Sequence, residues 1–194
     1  MVMPIQDYDE LYFDGGRDVH TAGYTWYQRQ KIIDADTGLE PLFNYHKGIF
    51  DRFNLSGKKV LILGCAKGFE VDDFKELGAS LVVGVEPSAY AAGTHPDIEV
   101  SDAFSYMTSE DTDSFDFVMG LRLLPCLSTG DALQVLTQAA RVSSGEQYFT
   151  VDSTESYTDE LITKLSPFYN IQPLSAWRNH GLQNTTIEIV GEEF

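Results

Sequence analysis

The chain has 194 residues, 43% hydrophobic and 22% charged, with thirty acidic side chains against thirteen basic ones and a net charge of -17. That length supports one self-sufficient core, and a field of that sign repels phosphate backbones and anionic lipid, which argues against nucleic acid and membrane surfaces as partners. The acids are spread along the chain rather than gathered in a tail, as on a solvated surface.

The N-terminal stretch MVMPIQDYDE has no basic region followed by an apolar run, and no apolar stretch approaches membrane-spanning length. A cytoplasmic protein is therefore expected. Cys65 and Cys126 sit in apolar contexts, and no set of Cys and His has metal-ligand spacing, so neither a disulfide framework nor a metal site is expected.

Residues 1 to roughly 55 are rich in aromatics and glycine and read as an N-terminal aromatic and helical cover segment. Within it, Leu42, Phe43, Ile49, Phe50 and Phe53 are spaced to bury one stripe of a helix, with Gly48 as its weak point. His46 and His95 read as loop polarity and nothing more. Residues 56–194 form the main unit. There "VLIL", "LVVGV", "FDFVMG" and "YFTV" fit short buried strands, separated by helical patterns at "FEVDDFKEL" and "DALQVLTQAARV". In the first of these helices Val71, Phe74 and Leu77 share a face, while Asp72, Asp73, Lys75 and Glu76 are expected in water.

A helix is expected near Thr158–Leu165. After it "YNIQPLSAWR" and "TTIEIVG" read as two strands joined by "NHGLQN", an antiparallel hairpin. The pattern as a whole predicts an α/β fold, a doubly wound, mostly parallel seven-stranded sheet closed by a C-terminal antiparallel hairpin.

The turn after the first strand decides what such a sheet would hold. The dinucleotide fingerprint needs three glycines, G-x-G-x-x-G; here Gly64 is followed by Ala66 and Phe69, which disfavours a pyrophosphate cradle. S-adenosylmethionine has no pyrophosphate. It needs a close turn beside its methionine part and an acid at the end of the second strand for the ribose hydroxyls, and Glu86, followed by Pro87 and Ser88, stands there. Asp102, in "IEVSDAFSY", is placed to meet the adenine amino group.

"GCAKGF" at Gly64–Phe69, "EPSAYA" at Glu86–Ala91, "SFDFVMGLRLL" and "ARVSSGEQYFTV" make Lys58 to Val151 resemble the class I S-adenosylmethionine-dependent methyltransferases, in particular small members with a "GCAKGF" first motif. By that resemblance Gly64, Cys65, Ala66 and Gly68 would line the methionine part, Glu86 and Pro87 the ribose, and Asp102 with Ala103 the adenine. The family's acid two residues before the first glycine, which helps hold the cofactor's amino group, is replaced by Ile62. Loss of one charge-assisted hydrogen bond costs about 1.5–3 kcal/mol, roughly ten- to a hundredfold in affinity.

Methyl transfer is an in-line displacement in which the protein positions the acceptor, and an acceptor hydroxyl or protonated amine also needs a base. Candidates stand at carboxyl ends of strands. His180, in the terminal turn, titrates near neutrality and is the preferred base, with a plain solvated turn residue as the alternative. Asp152 either serves the chemistry or caps a helix before "STESY". Arg122 either binds an anionic acceptor or is a surface arginine. Of the N-terminal ring residues, Tyr12, Phe13, His20, Tyr24, Trp26 and Tyr27 could stack on adenine or hold a sulfonium, or simply pack the segment onto the domain; Tyr24 joins the catalytic candidates.

No N-P-P-Y or D-P-P-Y motif follows the fourth strand. With the acidic charge, this points to a small-molecule or glycan-type acceptor rather than nucleic acid, used by a monomer or homodimer. Two other readings compete: a methyltransferase-like domain without catalysis that binds a partner, and a nicotinamide-dependent oxidoreductase, against which the missing glycines count.

Overall fold

The computed structural model describes Phe13 and residues 41–93, 95–121, 123–152, 170–173 and 186–191. Helix α1 (Pro41–Arg52) forms where the spacing predicts it. Leu42, Tyr45, Ile49 and Phe50 recur at three- and four-residue intervals and are all buried, while Gly48 falls on the half-buried side.

Strand β1 (Lys59–Leu63) follows, then helix α2 (Phe69–Glu76), strand β2 (Leu81–Glu86), the short helix α3 (Ala89–Ala92) and strand β3 (Ile98–Val100). Helix α4 (Ala103–Ser109) leads to strand β4 (Phe117–Leu121), a single 3-10 turn at Leu124–Cys126, helix α5 (Thr129–Val142) and strand β5 (Gln147–Asp152). Strands β6 (Asn170–Pro173) and β7 (Thr186–Gly191) complete the described elements.

The sheet order is β3-β2-β1-β4-β5-β7-β6. Strands β3, β2, β1, β4 and β5 are mutually parallel, and β7 pairs antiparallel with both β5 and β6. The doubly wound, mostly parallel α/β arrangement read from the sequence is present. The helix expected at 158–165 and the turn at 179–184 lie outside the described residues.

Strand β1 shows why the apolar runs are continuous rather than alternating. Val60 and Ile62 face one core with α1 and α2, whereas Leu61 and Leu63 face the other with α4 and α5. A strand covered on both faces has no water-facing side to make polar. The end of the cover segment belongs to this core too, since the Phe53 ring lies 4.8 Å from Phe117 and 5.3 Å from Tyr148. In α2, Val71 and Phe74 are fully buried and Leu77 packs partly, as expected. Asp73 corrects the reading: its side chain is mostly covered and its Oδ2 binds His46 Nδ1, because α1 lies against that flank of α2.

Two elements escaped the sequence pattern, α3 and α4. Both are brief and capped by side chains, Ser88 Oγ accepting the Ala91 N–H and Asp102 accepting the Ser105 N–H.

Candidate functional site

Strand order reverses between β1 and β4, and a doubly wound sheet binds its ligands beyond the carboxyl ends of strands at such a point. The turn from Gly64 to Gly68 stands there. Gly64, Ala66 and Gly68 all have positive φ, at 67°, 49° and 81°. For alanine that conformation costs on the order of 1–2 kcal/mol, so something must hold it.

Two sets of bonds do. Gly64 and Cys65 both donate their N–H to the Val85 carbonyl, at 2.8 and 3.3 Å, fixing the turn to the end of β2. The Ala66 N–H donates to Glu86 Oε2 at 3.0 Å, while Glu86 Oε1 accepts the Ser88 N–H at 2.9 Å. Glu86 therefore ties the turn after β1 to the turn after β2, across half-buried Pro87. Its side chain is buried, which raises its carboxyl above the ordinary range against the pull of the two N–H donors. Gly68 is required by packing as well, since a Cβ there would stand 2.7 Å from Ile98 Cδ1 and 2.9 Å from the His95 ring.

Asp102 and Ala103 follow β3. Glu86 pairs with Val100 in register and its carbonyl accepts the Ser101 N–H, so Asp102 lies one residue beyond that contact. Asp102 Oδ1 caps α4 through the Ser105 N–H at 2.9 Å, and Ala103 is buried beneath it. Asp102 thus has a structural task whatever else it does.

Ile62, where the resembling family has its acid, is 1% exposed and belongs to the core with Phe74 and Val71. Two polar residues missed by the sequence reading are buried where α1 and α2 meet. His46 is not loop polarity but a wholly buried side chain in the middle of α1. Glu70, in the first turn of α2, is buried beside it, and that burial holds its carboxyl above the ordinary range although the His46 field opposes the shift. The only sequence signal was a histidine flanked by apolar residues at helical spacing.

Phe13 brings part of the cover segment to the turn. It is buried against Ala91, Ala66 and Phe69, with its ring stacked 6.4 Å from that of Tyr90. Lys67 Nζ lies 5.3 Å from the same Tyr90 ring.

The structure thus gathers Gly64, Cys65, Ala66, Gly68, Glu86 and Pro87 at one crevice and puts Asp102 and Ala103 at the next strand end. Asp152 ends β5 opposite Thr186. Tyr24, Arg122 and His180 lie outside the described residues. Among the described residues no helix is long and apolar enough to cross a membrane.

No protein-family model and no curated protein matches the sequence. Solved structures do match the fold. Magnesium protoporphyrin IX methyltransferase (ChlM) from Synechocystis PCC 6803, with bound SAM, is 14% identical over 89% of this chain and 93% of its own, with a TM-score of 0.58. A SAM-dependent methyltransferase from Archaeoglobus fulgidus is 13% identical over 87% and 99%, with a TM-score of 0.61. The [4+2]-cyclase SpnF is 14% identical over 78% and 81%, with a TM-score of 0.59. The chain has the fold found in S-adenosylmethionine-dependent methyltransferases.

Proposed function

We propose that the protein is a class I S-adenosylmethionine-dependent methyltransferase that acts on a small-molecule or glycan-type acceptor. The observation that carries this reading is Glu86, a buried carboxylate at the end of β2 held by the Ala66 and Ser88 N–H groups. Each of its oxygens uses one acceptor direction on the backbone and keeps another, the pair of acceptors into which two neighbouring ribose hydroxyls could donate. The same fold holds SAM and SAH in the ChlM structures.

When bound, S-adenosylmethionine supplies a methyl group activated by its sulfonium. The residues for which roles follow are these. Gly64, Cys65, Ala66 and Gly68 give the turn close backbone approach, Glu86 and Pro87 fix the ribose, and Asp102 and Ala103 border the adenine. Phe13, already packed on Ala66, keeps water from that end. His180, Tyr24, Arg122 and Asp152 are the candidates for positioning the acceptor and taking its proton. The net charge of -17 supports an acceptor other than nucleic acid.

A second reading, a binding domain without catalysis, is favoured by one observation: Ile62 is core, so an acid-for-ammonium contact is missing from its usual place. One fold also serves several chemistries, as the cyclase SpnF illustrates. Calorimetric titration with S-adenosylmethionine and S-adenosylhomocysteine, with NAD as control, tests the cofactor assignment. Binding of the two sulfur ligands but not NAD supports it and opens acceptor screening. No binding of either ligand overturns it.

A further inference from the structure

Each left-handed residue of the turn after β1 is met by a side chain from a distant part of the chain. Phe13 packs on Ala66, and the His95 ring and Ile98 close on Gly68. At Gly64 the neighbour is Leu123, two residues beyond the end of β4. A Cβ on Gly64 would stand 3.1 Å from Leu123 Cδ1 and 3.5 Å from Leu123 Cβ. The same side chain limits Gly120 within β4, where a Cβ would stand 3.2 Å from Leu123 Cβ and 3.0 Å from Phe149 Cδ1. Leu123 has little room to retreat. Its carbonyl accepts the Cys126 N–H at 2.9 Å, it heads the 3-10 turn, and Leu124 beside it is wholly buried. Leu123 itself is only half-buried, so its burial is a small part of what holds the fold. Its distinctive contacts are with the glycine after β1 and the glycine within β4, the two strands between which the sheet order reverses.

We infer that Leu123 is a positioning residue that couples the loop after β4 to the turn after β1, and that position 64 is glycine because Leu123 stands where its side chain would be. The functional part rests on the methyltransferase reading given above, in which that turn borders the cofactor and the loop after β4, with Arg122, serves the acceptor. Leu123 then joins the two halves of the site through one side chain. It also sets the turn in advance, so that a ligand does not have to order it on binding.

Four full-length chains test this by urea unfolding, which needs no ligand: wild type, Gly64→Ala, Leu123→Ala and the double variant. Alanine at position 64 is penalised twice, by the positive φ of 67° and by Leu123. Shortening Leu123 removes only the second cost. Leu123→Ala is therefore expected to lower the urea midpoint of wild type but not that of Gly64→Ala. A drop of the same size in both backgrounds overturns the contact. If Gly64→Ala alone does not fold, a folded double variant supports the contact and an unfolded one overturns it. Calorimetry with S-adenosylhomocysteine, where each chain is fully folded, reads the positioning role. Leu123→Ala should bind it about three- to tenfold more weakly, the ordering cost of one side chain. Leu123→Met, which keeps the volume, should stay within about twofold of wild type. An unchanged affinity in Leu123→Ala would leave Leu123 as packing alone and overturn the role. If wild type binds no S-adenosylhomocysteine, the methyltransferase reading and the positioning role fall together, while the urea cycle still decides the contact.

Discussion

Gly84 and Cys65 approach so closely that a Cβ on Gly84 would stand 2.6 Å from Cys65 Sγ, with Val71 Cγ2 at 2.9 Å and Ile98 Cγ1 at 3.0 Å. The second strand has a glycine because the residue that follows Gly64 in the turn after β1, the apolar face of α2 and β3 all converge on that point. Gly84→Ala must displace three constrained side chains at once. It is expected to destabilise the fold by about 1–3 kcal/mol, the usual cost of overpacking. Urea unfolding checks this, and an unchanged midpoint would show that the crevice is looser than these contacts imply.

The same convergence governs thiol chemistry. Burial pushes the Cys65 thiol far up, and the fields of Glu70 and Glu86 add to the shift. Cys126, in contrast, is only half-buried. At mildly alkaline pH a disulfide reagent should titrate one thiol in the native protein and both after denaturation. Peptide mapping should place the native label on Cys126, and a native label on Cys65 would contradict the burial.

Ile62→Asp separates a family expectation from this chain's packing. Put back as an acid, residue 62 would lie among Phe74, Val71 and the α1 side chains, where Ile62 is 1% exposed. An unpaired buried charge in place of a buried aliphatic costs roughly 3–5 kcal/mol. The variant should lose stability on that scale rather than gain affinity for S-adenosylmethionine. Chemical denaturation and calorimetry on one preparation read both outcomes.

What the sequence reveals and conceals follows from range. The runs at β1, β2, β4 and β5 are legible because a strand covered on both faces must be apolar at every position, and Gly64 and Glu86 are legible because a turn and a strand end are local features. His46 is not. A polar residue on a helix reads as solvent until a second helix is known to cover it, and it is α2, twenty-odd residues later, that brings Asp73 and Glu70 beside it. Gly84 is concealed for a similar reason, since only the crossing of α2 and β3 makes its missing side chain necessary. Phe13 is one aromatic among several in its segment until Ala66, Phe69 and Ala91 are seen to pack on it.

Glu86→Gln tests the tie between the two turns. Glutamine keeps one acceptor oxygen but turns an NH2 group toward either the Ala66 or the Ser88 N–H, leaving a buried donor facing a donor. That mismatch should cost about 1–3 kcal/mol of stability. Loss of the acceptor toward the ribose should weaken S-adenosylhomocysteine by at least about tenfold. A variant that binds normally despite its lower melting point would remove Glu86 from the cofactor site and leave it a structural clasp.

Glu70→Gln has a signature in pH that a generic surface change lacks. Burial holds the Glu70 carboxyl above its ordinary value of 4.5, so the folded state binds that proton more tightly than the unfolded chain does. The stability this contributes is fully present below the ordinary value and is lost as pH rises through the raised one, because the ionised form must then be kept buried. Glutamine cannot ionise and escapes the loss. The melting temperatures of the two proteins should therefore move closer as pH falls toward about 4, and the variant should be ahead by at least about 2 °C near pH 8, the smallest shift that 1 kcal/mol gives a domain of this size. Glu86 titrates in both proteins, so its own contribution largely cancels in the difference. Differential scanning calorimetry across that range decides the matter. A variant that melts lower than wild type at pH 8 would mean that Glu70 has its cation within the folded chain.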